Sequence, residues 1–370
     1  MKIIVLSSHT PSLFWFRIDM MRAFIKTGAS IVAVGQESEN IWGDKFAAEG
    51  IAYRQIPVSR NGLNILADIK TFGALTQLIR EIKPDKIFTY QAKTIVYGSL
   101  AARIVDKHIE VYPMMAGLGS ILRSKGLKNE IIKCVLNIQY SLAFRNSCKV
   151  IFQNSDDKDE IVRLGLVSEE KTALVHGSGV NVSKFIESPL PSERKAILYI
   201  GRLIADKGVR EYLSVAKKLK INRPETRCIL VGPFDTNPSA ITVEELQPYI
   251  DNGIIEYFGE QKDVRPYIKQ CSVYVLPSYH EGTPKSVLEA MAMGRPIVTS
   301  DAPGCRETVV NGKNGFLVPV KDVDALENAI VQILDNENLA ASFGKESRKM
   351  AENIFDVNKV NADIMKIMKI

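Results

Sequence analysis

Short apolar runs rich in β-branched residues alternate with longer segments of helical period along nearly the whole chain, and this alternation constrains the fold more than any other feature. Candidate strands lie at 3–7, 31–35, 52–56, 86–90, 110–114, 149–153 and 173–176, with helical patterns such as 63–82 between them. A second series follows at 197–200, 228–231, 255–258, 273–276, 297–299 and 316–318. Strands that alternate with helices pair in parallel, because each crossover helix returns the chain to the same edge of the sheet. Two such series predict an α/β protein of two Rossmann-like, doubly wound parallel-sheet domains, and 370 residues exceed what one core usually organises. The segment 187–195 is rich in proline and charge and is read as the linker, giving domains over 1–190 and 195–355. Ligands of open parallel sheets sit beyond the carboxyl ends of the strands, so chemistry is sought in the residues directly after each strand.

Apolar residues make up 46% of the chain and charged residues 24%, a composition that folds in water. The first apolar run ends at Ser7, too short for a signal peptide or a membrane span, which predicts a cytoplasmic protein. Five scattered cysteines without a C-x-x-C pair fit a reducing compartment. The net charge of +6 reads as a solvated basic surface, except between 122 and 149. There Arg123, Lys125, Lys128, Lys133, Arg145 and Lys149 face a single acid, Glu130, beside apolar residues at helical spacing. Such a stretch either rests on an anionic membrane face or packs its apolar stripe into the core. No aromatic-interleaved basic platform for nucleic acid is present.

The most informative stretch runs from Ser278 to Pro296. Thr283 suits an N-cap, Pro284 the first helical position, Gly294 a left-handed C-cap, and Pro296 lies just beyond. Glu281 then falls in the loop before the helix and Glu289 about two turns inside it. The helix N-terminus fed by Gly282, Thr283 and Pro284 offers the free backbone N–H groups that follow the proline, at Lys285 and Ser286, to a sugar or a diphosphate, and a carboxylate can accept two hydroxyl donors from a vicinal diol. Upstream, Gly201, Arg202 and Lys207 form a turn at the end of a strand, where two cations could clamp a diphosphate and absorb its charge as it departs. Asp157-Lys158-Asp159 has a D-x-D form but opens a helix, where acids favour the dipole, and His9, His108, His176 and His280 lack metal-binding spacing, so no metal and no cofactor is expected. Trp15, with Phe14 and Phe16, either stacks on an acceptor or packs in the core.

These motifs resemble the retaining glycosyltransferases of GT-B architecture, family 4. Glu-x7-Glu is met by Glu281 and Glu289 within Glu-Gly-Thr-Pro-Lys-Ser-Val-Leu-Glu, and Gly-Arg-Leu-x-x-x-Lys-Gly by Gly201, Arg202, Leu203, Lys207 and Gly208. The resemblance implies two domains facing each other across a cleft, with 356–370 returning as a helix to the first. It implies that Glu289 holds the nucleotide ribose, Glu281 contacts the donor sugar, and Arg202 with Lys207 binds the diphosphate. Phe16-Arg17 and Ala116-Gly117-Leu118-Gly119-Ser120 look like the subgroup that extends glycans on an undecaprenyl diphosphate carrier, which places Phe16, Arg17, Gly117 and Gly119 on the acceptor side. That subgroup includes N-acetylgalactosamine and hexose transferases. The implied partners are a nucleotide sugar, most simply a uridine one, a lipid-linked saccharide, and the inner face of the cytoplasmic membrane. A 2-epimerase of the same architecture and a non-catalytic assembly scaffold are the rival readings.

Overall fold

The computed structural model describes residues 1–58, 64–118, 127–192 and 195–370, the side chains of 127–129 excepted. The chain forms two compact units, one of residues 1–178 with 357–370 and one of residues 179–356.

The first unit carries seven parallel strands in the order β3-β2-β1-β4-β5-β6-β7. They are β1 (Lys2–Leu6), β2 (Ser30–Gly35), β3 (Ala52–Gln55), β4 (Lys86–Tyr90), β5 (Glu110–Met115), β6 (Val150–Phe152) and β7 (Thr172–Leu174). Ile4 pairs with Val32 on one side and Ile87 on the other, so β1 is covered on both edges as well as both faces. That is why it is a continuous apolar run and not an alternating one. The helices are α1 (Thr10–Lys26), α2 (Glu39–Ala47), α3 (Ile65–Ile82), α4 (Ala92–Val105), α5 (Leu127–Arg145) and α6 (Ser155–Arg163). The strand order reverses between β1 and β4, where a doubly wound sheet opens a crevice at its carboxyl edge.

The second unit repeats the design with six parallel strands in the order β10-β9-β8-β11-β12-β13. These are β8 (Ala196–Ile200), β9 (Arg227–Val231), β10 (Glu256–Tyr257), β11 (Val273–Leu276), β12 (Ile297–Ser300) and β13 (Gly315–Val318). Its helices are α7 (Val209–Asn222), α8 (Val243–Asp251), α9 (Arg265–Gln270), α10 (Lys285–Ala292), α11 (Val323–Asp335) and α12 (Glu337–Asn353). The order reverses between β8 and β11, and every residue of both strands is buried.

The division between units falls at 178/179 and not in the 187–195 segment expected as the linker. Ser188 and Pro189 are held instead by the buried Arg295, whose guanidinium donates to the Ser188 carbonyl at 2.6 Å and the Pro189 carbonyl at 3.1 Å. Proline thus marks an irregular backbone that a buried cation fastens to its own unit. The chain leaves and re-enters the second unit side by side, since the Val180 N–H donates to the Phe355 carbonyl at 2.7 Å and Val180 bridges Asp356. Beyond that point α13 (Val357–Met368) lies on α1, burying Val360, Ile364 and Met368 in the first core with Leu13, Met20 and Phe24.

Candidate functional site

The second unit's switch point gathers the motif residues. The turn after β8 is drawn close to that after β9, and a Cβ on Gly232, whose φ is +147°, would lie 1.8 Å from the Gly201 carbonyl oxygen. Leu203 is fully buried and anchors the turn. A 3-10 turn over Ala205–Lys207 ends at Gly208, with φ +71°, where a Cβ would come within 2.0 Å of the Pro277 carbonyl oxygen. Glycine is therefore required there for both backbone angle and space. The Asp206 carbonyl accepts from the Tyr279 N–H at 2.9 Å and the Ser278 hydroxyl at 3.1 Å, binding the turn after β8 to the turn after β11.

This closure puts Lys207 against Glu281, and the two form an ion pair between Nζ and Oε2. A third turn supports the Glu281 loop from below: the Glu281 N–H donates to the Pro303 carbonyl at 2.9 Å, and Gly304, with φ +79°, leaves room for the Glu281 and Gly282 carbonyls. Arg202 is turned to the neighbouring strand end, its guanidinium donating to Asp235 Oδ2 at 2.8 Å. Asp235 itself opens an Asx turn by accepting from the Asn237 N–H at 2.8 Å. The cations of the Gly-Arg-Leu motif are thus each held by a carboxylate, Lys207 by one expected at the site and Arg202 by one that sequence reasoning did not assign.

Helix α10 starts one residue later than its sequence signals predict. Pro284 has ψ 109° and takes the cap position itself, its carbonyl accepting from the Val287 and Leu288 N–H groups, while Thr283 is buried before it. The end follows the expectation: Gly294 has φ +77°, its N–H donates to the Met291 carbonyl at 3.0 Å and the Arg295 N–H to the Ala290 carbonyl at 3.0 Å, which is a Schellman motif. Ser286 ties the helix to the site by donating its hydroxyl to the Ile200 carbonyl at 3.1 Å, and the Tyr274 hydroxyl reaches the same oxygen at 3.1 Å. Glu289 sits in the second turn, half-buried, and desolvation pushes its carboxyl up to about 7 against the opposing charges of Lys285 and Lys184.

In the first unit the acceptor-side candidates separate. Trp15 and Phe16 are 48% and 46% exposed, while Phe14 packs edge-on to Phe46 with ring centroids 5.3 Å apart. Arg17 is buried on the sheet, and Gly117 holds φ +107°; Gly119 lies outside the described residues. The D-x-D stretch is a helix start, with the Asp157 N–H donating to the Asn154 side chain at 2.7 Å. Among the described residues no group of three or more His, Cys, Asp or Glu side chains gathers to hold a metal. Of the two alternatives for 122–149, core packing holds for only one face of α5, which buries Tyr140, Ala143 and Phe144. On its other face Ile131, Val135, Ile138 and Leu142 form an exposed apolar stripe, with Ile131 68% and Ile138 58% exposed. Among the described residues no helix is long and apolar enough to cross a membrane.

Two doubly wound units, with paired cations and carboxylates at the switch point of the second, define a GT-B protein, and the chain belongs to the glycosyltransferases. Residues 183–350 match the family of glycosyl transferases group 1 and residues 2–154 match the glycosyl transferase 4-like family. Over 96% of its length, and 96% of the relative's, it is 30% identical to the N,N'-diacetylbacillosaminyl-diphospho-undecaprenol alpha-1,3-N-acetylgalactosaminyltransferase of Campylobacter jejuni. It is 24% identical to the UDP-Gal:alpha-D-GlcNAc-diphosphoundecaprenol alpha-1,3-galactosyltransferase of Escherichia coli, covering 82% of this chain and 80% of that one. Among solved structures it matches Anabaena Alr3699/HepE in complex with UDP at a TM-score of 0.79 and 19% identity, covering 100% of both chains. Sucrose-phosphate synthase from Thermosynechococcus elongatus matches at 0.81 and 18% identity, covering 100% of this chain and 98% of that one, a likeness of fold alone.

Proposed function

We propose that this glycosyltransferase moves a hexose or N-acetylhexosamine from a UDP sugar, such as UDP-N-acetylgalactosamine, to a saccharide carried on undecaprenyl diphosphate, with retention of configuration and without a metal. The observation that carries the reading is the Lys207–Glu281 pair at the switch point of the second unit, with Arg202 in the same turn as Lys207. A bound diphosphate offers Lys207 more negative charge than one carboxylate does. In this account Lys207 and Arg202 turn to the diphosphate, and Glu281, released from Lys207, accepts hydroxyl donors of the sugar. Glu289 accepts the ribose diol from its place in α10, and the first N–H groups of that helix face the donor.

Reaction breaks the bond from the anomeric carbon to the diphosphate oxygen and forms one to an acceptor hydroxyl on the same face. The hydroxyl proton passes to the departing phosphate, and Lys207 and Arg202 stabilise the charge that grows there. Two protein cations do the electrostatic work a divalent ion would otherwise do, so transfer persists in EDTA. The C. jejuni and E. coli relatives are named for undecaprenyl-linked acceptors, and the exposed apolar stripe of α5, on a helix that ends at the exposed Arg145, suits a peripheral site on the cytoplasmic membrane face, which supports a lipid-linked acceptor here. Proton NMR of the product tests the chemistry: the account predicts the donor's anomeric configuration in the new linkage. An inverted linkage overturns retention, and isomerised donor formed without acceptor overturns transfer in favour of epimerisation.

A further inference from the structure

Among the described residues two arginines are almost wholly buried, and they are treated differently. Arg295 donates to the Cys271 carbonyl at 3.2 Å as well as to Ser188 and Pro189, so oxygen acceptors surround its guanidinium. Arg17, 2% exposed, donates one N–H to the thioether of Met114 at 2.9 Å, and its Nε finds no acceptor. Its other neighbours are the rings of Tyr90 and Phe88, with centroids at 5.1 and 5.7 Å. A thioether is a weak acceptor and a ring face a weak counter-charge, so the cation is left without an oxygen partner. Burial pushes its pKa down, and the Tyr90 phenol opposes the fall. A buried charge in this state is destabilising, and an apolar residue of similar shape would serve the fold at least as well.

The position of Arg17 shows what could supply the missing partner. Tyr90 is the last residue of β4, and its hydroxyl is 2.8 Å from that of Ser12 in the first turn of α1. Met114 is next to last in β5, shortly before Gly117, which holds a positive φ. The guanidinium therefore lies at the carboxyl edge of the first sheet, beside its own switch point between β1 and β4. Sugar hydroxyls do not call for a buried cation, whereas the planar fork of an arginine matches the oxygens of a phosphate. We infer that Arg17 forms an anion subsite of the first unit that takes a phosphate of the diphosphate-linked acceptor. The inference rests on the transferase reading above.

The test compares wild type with Arg17→Met, using a short-chain polyprenyl-diphosphate-linked sugar and an uncharged alkyl glycoside of the same sugar as acceptors. Wild-type transfer to the charged acceptor checks the underlying reading, and its absence would be a failure of that reading. Arg17→Met should raise KM for the charged acceptor about tenfold or more, toward that of the glycoside, with KM for the UDP sugar unchanged and thermal stability equal or higher. Arg17→Lys should recover part of the loss and serves as the probe if the Met variant does not fold. An unchanged KM for the charged acceptor in a folded variant, where wild type transfers, overturns the subsite. A free-anion site is a distinct outcome: inorganic pyrophosphate would raise the melting temperature of UDP-saturated wild type but not of the variant, with acceptor preference unaltered. That too would overturn the assignment to the acceptor.

Discussion

At the scale of single residues, Lys207 and Arg202 are charges compensated by carboxylates in the free protein. Lys207 is held by Glu281 in the free protein and by the diphosphate in the account of the reaction. Lys207→Ala should lower kcat by about two orders of magnitude, with thermal stability close to wild type, because one transition-state cation in such a site is worth ~2.7–4 kcal/mol. Steady-state kinetics beside a melting curve separates the two effects. Glu289 gives a pH signature. Its carboxyl is raised to about 7, so in the free protein its contribution to stability is full below the ordinary carboxylate range and is lost as pH rises through 7. Ribose hydroxyls donate to the ionised form, so binding of a UDP sugar, whose diphosphate has no group titrating near pH 6, should release protons at that pH. Calorimetry in buffers of differing ionisation enthalpy should show that release in wild type and not in Glu289→Gln.

At the scale of elements, the glycines after the strands decide whether the turns can meet. Gly208→Ala adds a Cβ 2.0 Å from the Pro277 carbonyl at φ +71°, whereas Gly28→Ala has φ +86° and nothing within 4 Å. The first should destabilise by several kcal/mol, approximately the sum of a backbone penalty and a clash, and the second by only ~1–2 kcal/mol from the left-handed backbone, as denaturant titration would show. Helix α5 makes a separate prediction. Ile131→Ser with Ile138→Ser should weaken binding to anionic vesicles in flotation assays while leaving transfer to a short, soluble acceptor unchanged.

These elements also show what could be read in the sequence. The runs of β8 and β11 were legible because strands buried on both faces are apolar without interruption, whereas β6 and β10 are shorter than their runs predict, at three and two residues. Gly294 was legible as a cap because its left-handed role is local. Thr283 and Pro284 were misplaced by one position because either residue can begin a helix, and the extended ψ of Pro284 is set by the packing of its loop. Gly232 and Gly304 were missed, and the pairing of Asp235 with Arg202 was not legible, because their partners, the Gly201 carbonyl, the Glu281 and Gly282 carbonyls and Arg202, lie more than 20 residues away in sequence and meet only when neighbouring strands align. The exposed stripe of α5 could not be told from a core stripe, since both have helical period.

At the scale of the whole molecule, one βα design is used twice, and each copy places a cation at the carboxyl edge of its sheet. The second unit has Arg202 and Lys207 held by carboxylates, and the first has Arg17, which finds no oxygen partner among the described residues. The chain joins the units through two adjacent crossings, at 178/179 and 356/357, so residues 357–370 belong to the first unit although they follow the second in sequence. That division explains why the 187–195 segment misleads: its prolines shape a loop that Arg295 fastens within the second unit. The most direct measurement incubates the purified protein with UDP-, GDP- and ADP-sugars and a bacterial membrane lipid extract, following transfer of labelled sugar to lipid with EDTA present. The account predicts transfer from a UDP sugar and its loss in Lys207→Ala. Transfer from another nucleotide alone, or none from any donor despite UDP binding, would contradict it.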